Sequence, residues 1–206
     1  MQLKKVQNEE ITKQILDFSR LLEESESWEK INQLNNNWVQ EALWKNYHKL
    51  SNKKKGVVGE DYVKQFFLFC GHDVEKSANT DHDMIIDGHK VEVKFSLATS
   101  KEDKIKRNNF MVNHVARAKD WDRLLVVVIN AENPENTETE LDYEKSNFYW
   151  CTKKDFLNYM NTTSREECVF RHQQTGEKGK NDDYICTGKN LLKWIHMDWV
   201  KTLAEW

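Results

Sequence analysis

Residues 83–94 read DMIIDGHKVEVK and predict a β-hairpin that turns at Asp87 and Gly88. An Asp-Gly pair between two short runs of strand-forming residues is a strong signal for a two-residue hairpin turn. The second run alternates strictly, so its apolar and polar side chains lie on opposite faces of the strand. The apolar face comprises Val91, Val93 and Phe95, and the polar face comprises Lys90, Glu92, Lys94 and Ser96.

Three polar residues of the hairpin, Asp83, Glu92 and Lys94, form a candidate metal site. Glu92 and Lys94 project from the same face, about 6–7 Å apart along the strand, and the turn brings Asp83 back towards Glu92. Two neighbouring carboxylates are costly unless a cation neutralises them, and oxygen ligands suit Mg²⁺. A lysine beside the metal suits water activation and phosphodiester hydrolysis. On the triplet alone, a solvated hairpin face with alternating charges is the favoured alternative.

The segment before the hairpin adds a fourth acidic residue. GEDYVKQFFLFCG, residues 59–71, carries apolar residues at helical spacing and ends at Gly71, which favours helix termination. Glu60 lies near the start of this helix and is placed to face the same cluster. HDVEKS, residues 72–77, predicts a short strand between the helix and the hairpin.

The rest of the chain predicts a mixed α/β domain with a central sheet. Apolar residues at helical spacing indicate helices within residues 8–50, and LSNKKKG, residues 50–56, is typical of a linker. These features divide the chain into an N-terminal helical segment, 1–50, and a domain, 56–206. The domain's further predicted elements are a helix in 110–120, a strand covered on both faces at 123–130, a strand NFYWCT at 147–152 and a helix KKDFLNYM at 153–160 with Thr152 as N-cap.

From residue 56 to about 130, the chain resembles the PD-(D/E)xK nuclease superfamily. The resemblance rests on GEDYVKQFF, HDVEKS and the D-M-I-I-D-G-H-K-V-E-V-K motif, with His82 where the family has proline. It implies a restriction-endonuclease-like αβββαβ core with a central mixed sheet. It also implies Asp83 and Glu92 as Mg²⁺ ligands, Lys94 as the catalytic lysine and Glu60 as the helix glutamate.

Two later segments are similar to parts of type II restriction enzymes. They are FMVNHVARAKDWDRLLVVVIN with FYWCTKKDF, and RHQQTGEKGKNDDYICT at 171–187. This similarity implies sequence-specific cleavage of double-stranded DNA. Side chains suited to base edges and phosphates are Asn113, His114, Arg117, Arg171, His172, Gln173, Gln174, Lys178 and Lys180. The alternative for the first three residues is that they lie on the exposed surface of a packed helix. The alternative for the others is that they lie at the tip of a surface hairpin.

Two other functions are compatible with these residues. A structure-specific or repair nuclease, such as a Holliday junction resolvase, fits the same motif, and so does a non-catalytic DNA-binding protein on this fold. Cleavage of a symmetric duplex site favours a homodimer. The tryptophan-rich N-terminal helices and the C-terminal LLKWIHMDWVKTLAEW are candidate interfaces, and burial within the monomer is equally compatible with both.

The composition sets only broad limits on function. The net charge of −3 gives no general signal for nucleic acid, although a local basic cleft can dominate the field near a site. No apolar run approaches the length of a membrane span. The four cysteines have no CxxC spacing and are expected to be reduced thiols, which favours a cytoplasmic protein.

Overall fold

A computed structural model describes residue 13 and residues 50–97, 110–129, 146–164, 166–172 and 183–206. The helices predicted within 8–50 therefore lie outside the described residues. The elements in chain order are α1 Asn52–Phe69, β1 Val74–Lys76, β2 Met84–Ile86, β3 His89–Leu97, β4 Met111–Ala116, β5 Arg123–Ile129, β6 Ser146–Thr152, α2 Lys153–Thr162, β7 Arg171–His172, β8 Asp183–Thr187, α3 Lys189–Ile195, β9 Lys201–Thr202 and a 3₁₀ turn Leu203–Glu205.

A six-stranded mixed sheet forms the centre of the described chain. Its strand order is β1-β2-β3-β5-β6-β9, and the β3–β5 pair is parallel whereas the other pairs are antiparallel. A second, three-stranded sheet has the order β4-β8-β7. The predicted mixed α/β class with a central mixed sheet is thus confirmed.

Hydrophobic cores lie on both faces of the central sheet, and β5 contributes to each. Its residues alternate between a core with α1, which includes Leu125 and Val127, and a core with the second sheet, α2 and α3, which includes Leu124 and Val126. The apolar run in the sequence arises because both faces of this strand are covered. The prediction for 123–130 is confirmed.

The hairpin of residues 83–94 forms as predicted, with Met84 paired to Val91 and Ile86 paired to His89. Asp87 and Gly88 have φ angles of 50° and 78°, the left-handed conformation that a tight primed turn requires. Because the pairing begins at Met84, the preceding Asp83 lies beside the middle of β3, where Glu92 is located.

Helix α1 begins earlier than the sequence indicated. The Ser51 side chain accepts a hydrogen bond from the Lys54 backbone N–H at 3.4 Å, and the helix runs from Asn52 to Phe69. The prediction of a linker over 50–56 is therefore wrong, because Ser51 caps a helix that includes the lysine run. The end is as predicted: Gly71 follows the C-cap with φ 85°.

The prediction of a helix within 110–120 is also wrong, because Met111–Ala116 is strand β4 of the second sheet. Val112 and Val115 are both buried, and their spacing of three residues imitates a helical pattern. A β-bulge between them inserts an extra residue, which returns Val115 to the inner face of the strand. The spacing in the sequence therefore reflects an irregular strand.

The C-terminal segment packs within the monomer. Trp194 is fully buried in the core beneath the second sheet, and the Trp206 ring lies 4.9 Å from Phe67 and 5.4 Å from Trp150. The guanidinium of Arg123 lies 4.4 Å from the Trp150 ring and 4.5 Å from the Trp206 ring. Among the described residues, no helix is both long and apolar enough to span a membrane.

The close approach of α1 to β3 depends on Gly59. A Cβ atom at this position would lie 2.5 Å from Phe95 Cβ, so Gly59→Ala must push the helix away from the sheet. We expect a loss of about 1–3 kcal/mol in the free energy of unfolding, measured by urea denaturation. At Gly56 the nearest atom lies 3.8 Å from such a Cβ, so Gly56→Ala is the matched control and should not destabilise the protein. Equal stability of both variants would contradict the proposed contact.

Candidate active site

The four side chains predicted from the sequence line one cavity of about 480 Å³. The cavity lies between the start of α1, the middle of β3, strand β4 and the turn that follows β4. Its charged lining residues are Glu60, Asp83 and Glu92 together with Lys55, Lys94 and Lys119. Residues distant in the sequence thus meet in a single opening because α1, the hairpin and the second sheet converge there.

Glu92 is the most deeply buried charged residue of the cavity, with a fully buried side chain. Its Oε1 accepts from Lys94 Nζ at 2.6 Å, and Lys119 Nζ lies 3.3 and 3.4 Å from its two oxygens. A carboxylate with no solvent contact requires such partners, because desolvation of an unpaired charge is very costly. The interpretation of this face as a solvated hairpin surface is therefore wrong.

The half-buried Asp83 combines a structural hydrogen bond with a carboxylate charge that its surroundings disfavour. Its Oδ2 accepts from the Val93 backbone N–H at 2.7 Å, and its own N–H donates to the Val91 carbonyl at 3.0 Å. Asp83 thereby extends the hydrogen-bond ladder between β2 and β3 past the first residue of β2. Burial raises the pKa of Asp83, and the nearby charge of Glu92 raises it further. Ionised Asp83 is consequently held in a site that already carries negative charge.

Glu60 completes the acidic side of the cavity from α1. Burial raises the pKa of Glu60, and the charge of Asp83 adds to the effect, while Lys94 opposes it. The position of Glu60 follows from Gly59, its neighbour, which allows the first part of α1 to contact β3. The helix glutamate and the hairpin carboxylates therefore influence one another electrostatically.

The donor set of the cavity is chemically suitable for a divalent cation. Burial and the charge of Glu92 raise the pKa of Asp83, so added positive charge favours its ionised form, and hard oxygen ligands match Mg²⁺. In the part of the chain that the structure describes, no group of three or more His, Cys, Asp and Glu side chains is close enough to hold a metal. Asp83 and Glu92 would therefore supply only part of a coordination shell, as is common for Mg²⁺, which retains several waters.

Lys119 is a cavity residue that the sequence analysis missed. It lies in the turn between β4 and β5, and its side chain reaches Glu92 across 27 residues of sequence. No periodic pattern identifies a single lysine in a turn as part of a distant site. The only signal was its inclusion in the segment, residues 110–130, that resembles restriction enzymes.

The predicted DNA-binding residues fall into three groups. Asn113 and His114 line the cavity, where the β4 bulge places them, and His114 has φ 54°. Arg117 follows β4 and is not part of the cavity lining, whereas Arg171 and His172 are exposed on β7 of the same sheet. The remaining four, Gln173, Gln174, Lys178 and Lys180, lie outside the described residues.

No protein-family model matches the chain, and no curated protein matches it. Among solved structures, the chain is similar to a bacterial homing endonuclease, I-Ssp6803I, with 25% sequence identity over 53% of this chain and 70% of that chain. The TM-score of 0.35 marks a distant similarity.

Asp83→Asn should stabilise the protein at neutral pH. Because the folded-state pKa of Asp83 is raised, its stabilising contribution is present at low pH and is lost as the pH rises through that pKa. The amide cannot ionise and still accepts from Val93. We expect the free energy of unfolding at pH 7 to rise by about 1 kcal/mol, and this gain to shrink towards pH 4.

Urea denaturation at pH 7 and pH 4 measures this effect. Asp83→Ala is the control, since it removes the charge together with the acceptor for the Val93 N–H and should be less stable than Asp83→Asn by about 1–3 kcal/mol. A gain of equal size at both pH values would show that the charge of Asp83 is not its cause.

Proposed function

We propose that this chain is a Mg²⁺-dependent endonuclease that hydrolyses phosphodiester bonds in double-stranded DNA, of the type II restriction kind. The observation that carries the proposal is the convergence of Asp83, Glu92 and Lys94 with Glu60 in one cavity. A fully buried carboxylate in contact with lysine, beside a second carboxylate of raised pKa, is typical of functional sites.

Each side chain has a role that its position supports. Asp83 and Glu92 would hold Mg²⁺, and Lys94 lies beside them, where its ammonium group can orient the attacking water and stabilise charge on the phosphate. Glu60 faces the cavity from α1 and can fix a water through a hydrogen bond. A bound Mg²⁺ supplies Lewis acidity and neutralises the charge that develops during phosphodiester hydrolysis.

The second sheet supports DNA as the substrate. Asn113 and His114 line the cavity, and the exposed Arg171 and His172 lie on β7 of the same sheet. A β-bulge beside a site redirects side chains towards it, and antiparallel strands are able to enter the major groove. Amide, imidazole and guanidinium groups then supply contacts to base edges and phosphates.

A homodimer and a cytoplasmic location remain parts of this proposal. A palindromic duplex site requires two active sites related by a twofold axis. Of the two candidate interfaces, the C-terminal segment is already packed against Phe67 and Trp150 through Trp206. The tryptophan-rich segment 1–50 stays the other candidate interface that the sequence offers.

Cleavage assays on phage-genome DNA test the proposed activity. The wild-type protein should yield discrete fragments with Mg²⁺ and none with EDTA. Lys94→Met should reduce the cleavage rate by about 10²–10³-fold, because it removes the ammonium group from the reacting centre. Lys90→Met is the matched control: Lys90 lies on the same strand but pairs with Asp120 on the surface, and its loss should leave the rate unchanged.

Two results would contradict the proposal. One is cleavage that persists in EDTA, or cleavage by a natively folded Lys94→Met protein, as judged by circular dichroism, that is as fast as cleavage by the wild type. The other is a lack of Mg²⁺-dependent cleavage on duplex, branched and damaged DNA alike, which would favour a non-catalytic protein. Cleavage of branched substrates alone would support the resolvase-like alternative instead.

Arg171→Ala tests the DNA-binding surface independently of catalysis. If Arg171 contacts a phosphate, its removal should weaken binding on all sequences and reduce the slope of log affinity against log salt by about one. Lys76→Met, on the distant edge strand β1, removes the same charge and serves as the control. Fluorescence anisotropy with a labelled duplex at several salt concentrations measures both slopes, and identical slopes for Arg171→Ala and wild type would refute the contact.

A further inference from the structure

Lys119 and Lys94 occupy the same carboxylate that the proposed function assigns to a metal. Lys94 Nζ is 2.6 Å from Glu92 Oε1, and Lys119 Nζ is 3.3 Å from Oε1 and 3.4 Å from Oε2. Both oxygens of Glu92 therefore already have cationic neighbours. A divalent cation that bonds to either oxygen must share it with, or take it from, an ammonium group.

The charge balance of the cavity strengthens this argument. Its lining includes three carboxylates and three lysine side chains, so their formal charges cancel. A divalent cation adds two positive charges to a space that contains the fully buried Glu92. Since like charges repel strongly where water is scarce, cation entry favours departure of one ammonium group.

The geometry identifies Lys119 as the group that leaves. Its side chain is 34% exposed whereas that of Lys94 is 17% exposed, and its contacts with Glu92 are longer. Lys94 projects from the middle of a central strand, while Lys119 belongs to a turn. The turn itself is anchored, because the Lys119 carbonyl accepts from Lys153 Nζ and from the backbone N–H of Trp121. Only the side chain needs to move.

We propose that Lys119 competes with a divalent cation for Glu92 and so sets the metal affinity of this site. This inference rests on the proposed metal site and adds a residue that the nuclease motif does not contain. Lys119 neutralises buried Glu92 when no cation is bound, which reduces the electrostatic cost of the carboxylate cluster. The consequence is that removal of Lys119 should strengthen metal binding, whereas damage to the site would weaken it.

Titration with Mn²⁺ in the absence of DNA tests the proposal, with free Mn²⁺ followed by electron paramagnetic resonance. Lys119→Met should lower the dissociation constant about tenfold, since the cation no longer displaces a charged hydrogen bond. Lys119→Gln retains a donor for Glu92 without the charge and should also bind more tightly than wild type. It provides a second measurement if Lys119→Met folds poorly.

Three further proteins make the outcomes distinct. Lys119→Arg retains the competing charge, so its dissociation constant should stay within about threefold of wild type. Lys76→Met controls for a general change in net charge and should also match wild type. Asp83→Asn should bind more weakly, which assigns the bound cation to this cavity.

Two results would overturn the inference in different ways. If wild type binds Mn²⁺ through Asp83 but Lys119→Met and Lys119→Gln bind no more tightly, competition by Lys119 is refuted and the metal site stands. If neither wild type nor any Lys119 variant binds Mn²⁺ in an Asp83-dependent manner, both this inference and the proposed metal site fail.

Discussion

The buried carboxylate of Glu92 is the constraint on which the candidate site depends. Its charge lies on the central strand β3, between two hydrophobic cores, and has no contact with solvent. Such a group is tolerated only if cations or hydrogen-bond donors surround it. Lys94 and Lys119 fulfil this requirement, while Asp83 and Glu60 add negative charge to the same cavity. With Lys55, which also lines the cavity, three lysines balance the formal charge of the three carboxylates.

The surrounding fold produces this arrangement through a few local features. The turn at Asp87 and Gly88 fixes the register that places Asp83 beside Glu92. Gly59 lets α1 approach Phe95, which brings Glu60 to the cavity, and the bulge in β4 directs Asn113 and His114 towards it. None of these features belongs to the reacting groups themselves. Each one determines where a charged or polar side chain lies.

Local patterns in the sequence were sufficient to predict the hairpin, the buried strand β5 and the carboxylate–lysine cluster. Strict alternation in β3 and the Asp-Gly turn define one register, and that register alone brings Asp83, Glu92 and Lys94 together. The metal and catalytic roles of these residues stay predictions, because the structure shows their positions and not their chemistry.

Non-local packing determined the features that the sequence could not reveal. The burial of Val112 and Val115 at helical spacing led to the wrong element for residues 110–120, since a bulge is invisible in a periodicity analysis. Lys119 reaches Glu92 only because β4 and β5 belong to different sheets joined by a short turn. Ser51 is a residue type that favours a helix N-cap, but the lysine run after it is also typical of a linker.

A crystal structure of the protein soaked in Mn²⁺, with diffraction recorded at the manganese absorption edge, tests the central claim most directly. We predict an anomalous peak within about 2.2 Å of a carboxylate oxygen from both Asp83 and Glu92, with Lys94 still beside Glu92. The absence of a peak in the cavity at saturating Mn²⁺, with both lysines still on Glu92, would contradict the account. Glu92 would then be a structural ion-pair centre and not a metal ligand.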